Sequence, residues 1–203
     1  MYKRTLPIIS KHIFTIVFLA AAIFSLTDFI YGGLFIQEEY SKEEAVKVMG
    51  LIDRIIEEQV RGQGNTQEVT LTEGELNSYI AHRIEMEKPD VLKKLNLKFQ
   101  KNNEIEGHLL LSFKGKKIPR FLQKEMEIFF SGHLEIQEDR IRLVAKEIFL
   151  GGQKIQLSFL KTAIGIASKL QGQEMAGLDD WYDLPFGIKD VQTFPGHVVF
   201  YFQ

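Results

Sequence analysis

The sequence predicts an α+β protein: an N-terminal transmembrane helix followed by a curved antiparallel sheet packed around one or two helices. Three observations lead there. Residues 13–36 form a long apolar run with basic residues before it and acidic residues after it. Two later stretches repeat apolar residues at spacings of three and four, the signature of amphipathic helices. From Leu95 onward the period falls to two, in paired segments joined by turn residues.

Residues 13–26 are apolar apart from Thr15 and Ser25, Asp28 interrupts the run, and it resumes from Phe29 to Ile36. It covers about 24 residues, enough to cross a bilayer core of ~30 Å at ~1.5 Å per residue. Lys3, Arg4 and Lys11 precede it, and Glu38, Glu39, Glu43 and Glu44 follow it. This asymmetry predicts a cytoplasmic N-terminus over 1–12, an anchor over 13–36 and an extracytoplasmic remainder over 37–203. A cleaved signal peptide is the competing reading, but the Ala20-Ala21-Ala22 stretch lies too deep in the run to make a convincing cleavage site. An acid such as Asp28 costs about 2.5–3.5 kcal/mol near mid-membrane. It fits the anchor at an interface or against a partner helix.

Residues 37–64 are predicted to carry an amphipathic helix. Ser41 with Glu44 has capping-box spacing, and Val48, Met49, Ile52, Ile55, Ile56 and Val60 share one face. The remainder, 69–203, is predicted to hold the sheet and its helices. The stretch TLTEGELNSYI at 70–80 is rich in hydroxyls, carboxylates and an amide, and so looks like an active-site segment. Thr72 and Glu75 again have capping-box spacing, and Leu76, Tyr79, Ile80 and Ile84 follow at helical intervals. The polar residues therefore read as a helix start with a solvent face. Val69 to Leu71 make an extended lead-in.

After Pro89, Leu95, Leu97 and Phe99 alternate with polar residues, KNNE turns the chain, and Ile105, Leu109, Leu111 and Phe113 alternate back with Gly107 in phase. A basic connector, KGKKIPRFLQKE, leads to Met126, Ile128, Phe130, Leu134 and Ile136, with Gly132 in phase. The turn EDR then leads to Ile141, Leu143 and Ala145. Phased glycines in long strands mark bends or close backbone approach. Leu157, Leu160, Ile164, Ala167 and Leu170 suit a helix apolar around much of its circumference. GIKDVQTF, Pro195-Gly196 and HVVFYFQ complete a last hairpin.

Composition excludes several chemistries. The net charge of −2 leaves no basic field for nucleic acid. With no cysteine, disulfides, zinc–thiolate sites and thiol nucleophiles are ruled out. DDWYD at 179–183 matches the spelling of a diphosphate-binding motif. That chemistry needs a large helical cavity, so a turn with Trp181 and Tyr182 as packing residues is the plainer reading. His82, His108, His133 and His197 lack ligand spacing, although His108 and His133 occupy similar places in adjacent predicted strands. No catalytic residue, metal site or cofactor is expected.

What remains is a one-sided oily surface. Its candidate ligand-lining residues are Leu109, Leu111, Phe113, Ile128, Phe130, Leu160 and Ile164. The candidate membrane or headgroup contacts are the cations Lys114, Lys116, Lys117, Arg120 and Lys124 of the connector. The expected partners are membrane lipid and, through residues 13–36, a membrane protein.

Leu71, Thr72, Glu73, Glu75, Leu76 and Asn77, with Leu184, Pro185, Gly187, Ile188, Val191, Gly196, Val198 and Phe200 at the far end, form two short motifs. With the anchor and long hairpins, the pattern resembles the YpmS-like and LmeA-like extracytoplasmic proteins, which are related to tubular lipid-binding (TULIP-type) folds. The resemblance implies binding of a lipid or other apolar ligand at the outer side of a membrane. The competing expectation is a bitopic scaffold whose sheet is fully packed and whose anchor meets a partner chain.

Overall fold

The computed structural model of the chain describes residues 40–61, 68–120, 122–170, 180–185 and 187–202. The expected span 13–36, with Asp28, lies outside the described residues. Among the described residues no helix is long and apolar enough to cross a membrane.

The first helix, α1, runs Lys42–Val60. Ser41 caps it by accepting from the Glu44 backbone N–H at 3.2 Å. The reciprocal half of the expected box is relayed instead of direct: Ser41 N–H donates to Ser78 Oγ at 3.2 Å, and that hydroxyl donates to Glu44 Oε2 at 2.9 Å. Strand β1, Glu68–Thr72, leads into α2, Glu73–Glu87. Here the box is complete, with Thr72 Oγ1 on the Glu75 N–H and Glu75 Oε2 on the Thr72 N–H. Lys47 of α1 also pairs with Glu75, and together with Thr72 holds its carboxyl below the usual range.

Four long strands follow: β2 (Leu92–Phe99), β3 (Glu104–Ser112), β4 (Glu125–Gln137) and β5 (Arg140–Leu150). The tight turns take positive φ at Asn102 and Asn103, both at 59°, and at Glu138 and Asp139, at 50° and 61°; Asn and Asp tolerate that region, and Glu138 is carried into it by its turn. The short β6 (Gln153–Lys154), helix α3 (Leu157–Leu170), the short β7 (Tyr182–Asp183), β8 (Ile188–Phe194) and β9 (His197–Phe202) complete the order.

Among the described residues the chain is α+β, with a strongly curved antiparallel half-barrel and three helices. The single expected sheet is in fact two. One runs β2-β3-β4-β5-β6, with β7 also on β5, and the other is β1-β9-β8. The small sheet is tied to the β2–β3 turn by polar contacts. Thr193 N–H donates to Asn103 Oδ1 at 2.9 Å, and Thr193 Oγ1 donates to Gln100 O at 2.7 Å.

Both phased glycines have a physical task. A Cβ on Gly107 would sit 2.7 Å from Cζ of Phe130, whose ring lies across the opposite strand position. A Cβ on Gly132 would sit 2.3 Å from the Val144 carbonyl oxygen, at the bulge between Ser131 and Gly132. A bulge in a long hairpin adds twist and bend, and so helps curl the sheet.

Candidate apolar trough and basic end

The inward rows of the large sheet match strand to strand. Leu95, Leu109, Ile128 and Leu150 form one row; Leu97, Gly107, Phe130 and Ile148 form the next. Helix α3 adds Leu160, Ala163 and Ile164 to the same core. All seven candidate lining residues, Leu109, Leu111, Phe113, Ile128, Phe130, Leu160 and Ile164, are therefore brought together in one cluster. Their exposures run from 0% to 3%, so water-sized space touches almost none of their surface. An apolar guest at these residues must displace a neighbouring element.

The polar residues of TLTEGELNSYI do more than the sequence predicts. Asn77 and Glu73 do not form a solvent face. Asn77 Nδ2 donates to Leu97 O at 2.7 Å, while Leu97 N–H donates to Asn77 Oδ1 at 2.8 Å. Glu73 Oε2 accepts from Phe99 N–H at 2.9 Å. Helix α2 thus occupies the outer edge of β2 with side chains in place of a strand, satisfying backbone groups that an open edge would leave bare. Sequence reasoning missed this because the partners lie twenty or more residues apart.

These contacts also fix direction. Glu73 sits beside Phe99 and Asn77 beside Leu97, so α2 runs antiparallel to β2 and finishes where β2 starts. Lys47 meets Glu75, Ser41 meets Ser78, and the Tyr40 hydroxyl lies 2.5 Å from His82 Nδ1. Helix α1 is therefore antiparallel to α2, and the chain enters the domain from the side where α2 ends. The connector 113–124 lies at that same end, with Ser112 N–H on Val91 O at 2.8 Å and Phe113 N–H on Lys124 O at 2.7 Å.

The five connector cations are not equivalent. Lys114 Nζ lies 2.8 Å from Glu125, and Lys116 pairs with Asp90, whose carboxyl it holds below the usual range. Lys117, Arg120 and Lys124 are exposed and make no ion pair among the described residues.

The remaining sequence candidates are structural or apart. His133 faces Glu104 while His108 faces Phe129, four positions away along β3, about 14 Å at ~3.4 Å per residue. His108 stacks on Phe129 with centroids 4.6 Å apart. Glu127 Oε1 approaches its Nε2 to 2.7 Å. Burial, helped by Lys94, pushes the His108 pKa down. In DDWYD, Tyr182 and Asp183 are strand β7 on β5, and the Arg142 guanidinium lies 4.7 Å from the Trp181 ring centroid. Among the described residues no three metal-ligating side chains come together.

The described residues thus define an α+β half-barrel with a buried apolar cluster and a basic connector at one end. No protein-family model, curated protein or solved structure matches this chain.

Proposed function

We propose that the chain is a membrane-anchored extracytoplasmic protein that shelters an acyl chain or similar apolar group in its sheet-lined trough. One observation carries this reading: a strongly curved sheet with a continuous apolar inner surface, completed by the apolar helix α3. The likeness to the YpmS-like and LmeA-like proteins points the same way, and the charge asymmetry around 13–36 supports the anchor and its direction.

Because the lining residues are closed to water, the guest takes the place of α3. The magnitudes are close. Uncovering Leu160 and Ile164 costs about 3–6 kcal/mol at about 1.5–3 kcal/mol each, and Ala163 with the partly buried Leu157, Phe159 and Ile166 adds to that cost, whereas an acyl chain of about 14 methylenes gains about 11 kcal/mol at about 0.8 kcal/mol per methylene. Association itself costs at least about 4 kcal/mol, so the surplus is a few kcal/mol at most, and binding is reversible.

The same closed packing favours a second reading, a bitopic scaffold with no ligand, in which Asp28 meets a partner helix. Native mass spectrometry of the detergent-purified protein with lipid extraction separates the two. Reproducible co-purified lipid with a defined headgroup supports the trough. A stoichiometric second polypeptide without lipid overturns it in favour of the scaffold.

A further inference from the structure

We infer that the end of the domain formed by the 113–124 connector rests on the surface of the anchoring membrane, with Lys117, Arg120 and Lys124 contacting anionic phospholipid headgroups. The inference rests on the anchor reading for 13–36 but not on an occupied trough.

Two independent observations meet at this end. The first is where the chain comes in. Tyr40 packs beside His82 with α1 antiparallel to α2, so the described chain begins beside the last turns of α2. Helix α2 runs on from there to the start of β2, which the connector adjoins. Only residues 37–39 separate the expected span from Tyr40, about 10 Å of extended chain at ~3.3–3.6 Å per residue. So short a tether holds this end near the bilayer and turns the β4–β5 turn, with Glu138 and Asp139, away from it.

The second observation is the charge left over. Lys114 and Lys116 are neutralised by Glu125 and Asp90, whereas Lys117, Arg120 and Lys124 stand exposed without such a partner among the described residues. The exposed Met86, in the last turn of α2, adds an apolar contact on the same end. At the far end Glu138 and Asp139 are themselves paired with Arg140 and Lys189, so the feature a negatively charged surface would select is the set of connector cations left unpaired among the described residues. The partner is therefore the anionic lipid of the same membrane.

The absence of cysteine makes the test direct. Gln123→Cys, in the connector, and Gln137→Cys, at the far end, are both exposed positions. Each is introduced into the full chain, labelled with a membrane-impermeant fluorophore and reconstituted into vesicles of phosphatidylcholine with or without phosphatidylglycerol, with a quencher on the lipid headgroup. The label at 123 should be quenched in the anionic vesicles and the label at 137 should not. Three cations at roughly fivefold each are worth about a hundredfold in the contact equilibrium. The triple variant Lys117→Ser, Arg120→Ser, Lys124→Ser should therefore lose the quenching while unfolding at an unchanged denaturant midpoint.

Equal quenching at both positions in anionic vesicles overturns the proposal. So does quenching at 123 that survives the triple substitution or needs no anionic lipid. If an alkaline wash strips the protein from the vesicles, the anchor reading has failed. Flotation of the same chain then decides the contact. Salt-sensitive flotation on anionic vesicles alone supports it, and none overturns it. Lipid co-purification from the triple variant reports separately on the trough.

Discussion

The side-chain lock on β2 gives the most direct energetic prediction. Asn77→Ala removes two hydrogen bonds to the Leu97 backbone, at 2.7 and 2.8 Å. At about 1 kcal/mol net each, the loss is about 2 kcal/mol. Alanine returns up to ~0.7 kcal/mol as the better helix former, leaving a destabilisation of about 1.3 kcal/mol, or nearly tenfold in the folding equilibrium. Denaturant titration of the full chain in mild detergent measures this value, and amide exchange locates it. Leu97 and Phe99 should lose protection while the β4–β5 hairpin keeps its own. Asn77→Asp is the control. It keeps the acceptor for Leu97 N–H but turns a carboxylate oxygen toward Leu97 O, so it should be no more stable than the alanine variant at neutral pH. That repulsion raises the carboxyl's folded pKa above its unfolded value of about 4, so stability should recover as pH falls through the raised value and be fully regained below about pH 4. A loss under about 0.5 kcal/mol, or exchange that quickens evenly across all strands, would refute the idea that α2 holds this edge.

Other perturbations follow from the same geometry. Gly132→Ala drives a Cβ into the Val144 carbonyl and should cost more than Gly107→Ala, whose clash is with the Phe130 ring. Phe130→Leu should partly relieve the latter, giving a non-additive cycle in denaturant titrations of the four proteins. Ser78→Ala breaks the relay between Ser41 and Glu44 and should destabilise by about 1–2 kcal/mol, with faster exchange confined to the start of α1. The lowered pKa of His108 means its neutral form suits the fold. Its contribution is whole above the unfolded value of about 6.5 and is lost as pH falls through the lower folded value. His108→Gln should flatten that part of the stability–pH curve. Glu75, also lowered, should contribute above an unfolded value of about 4.3 and fade as pH drops further, a loss that Glu75→Gln removes.

Much of this fold is legible in the sequence because its determinants are local. The period-two runs, their turn residues and the Thr72–Glu75 box all lie within a few positions of one another, and each forms where expected. Gly107 and Gly132 stand out because no side chain is tolerated there, and their phase in the strands gives their orientation. What stays hidden is set by pairing across distance. Nothing near Asn77 announces that its amide faces Leu97, and nothing near Ser78 that it completes a cap on another helix. The division into two sheets likewise depends on Thr193 meeting the 100–103 turn. Among the candidate site residues, the shared burial of the seven apolar ones is legible because buried apolar residues of a curved sheet have one place to go. The connector cations read as five equals, and only folding reveals that Asp90 and Glu125 remove two of them.

The helix laid along β2 carries a further consequence for how copies of this chain meet. Strand addition propagates without limit only when a sheet has two free margins, since each newcomer must offer the next one a fresh docking line. With its first margin shut at Leu97 and Phe99, the six-stranded sheet retains at most one, so coupling through it ends at a pair and does not grow into a fibre.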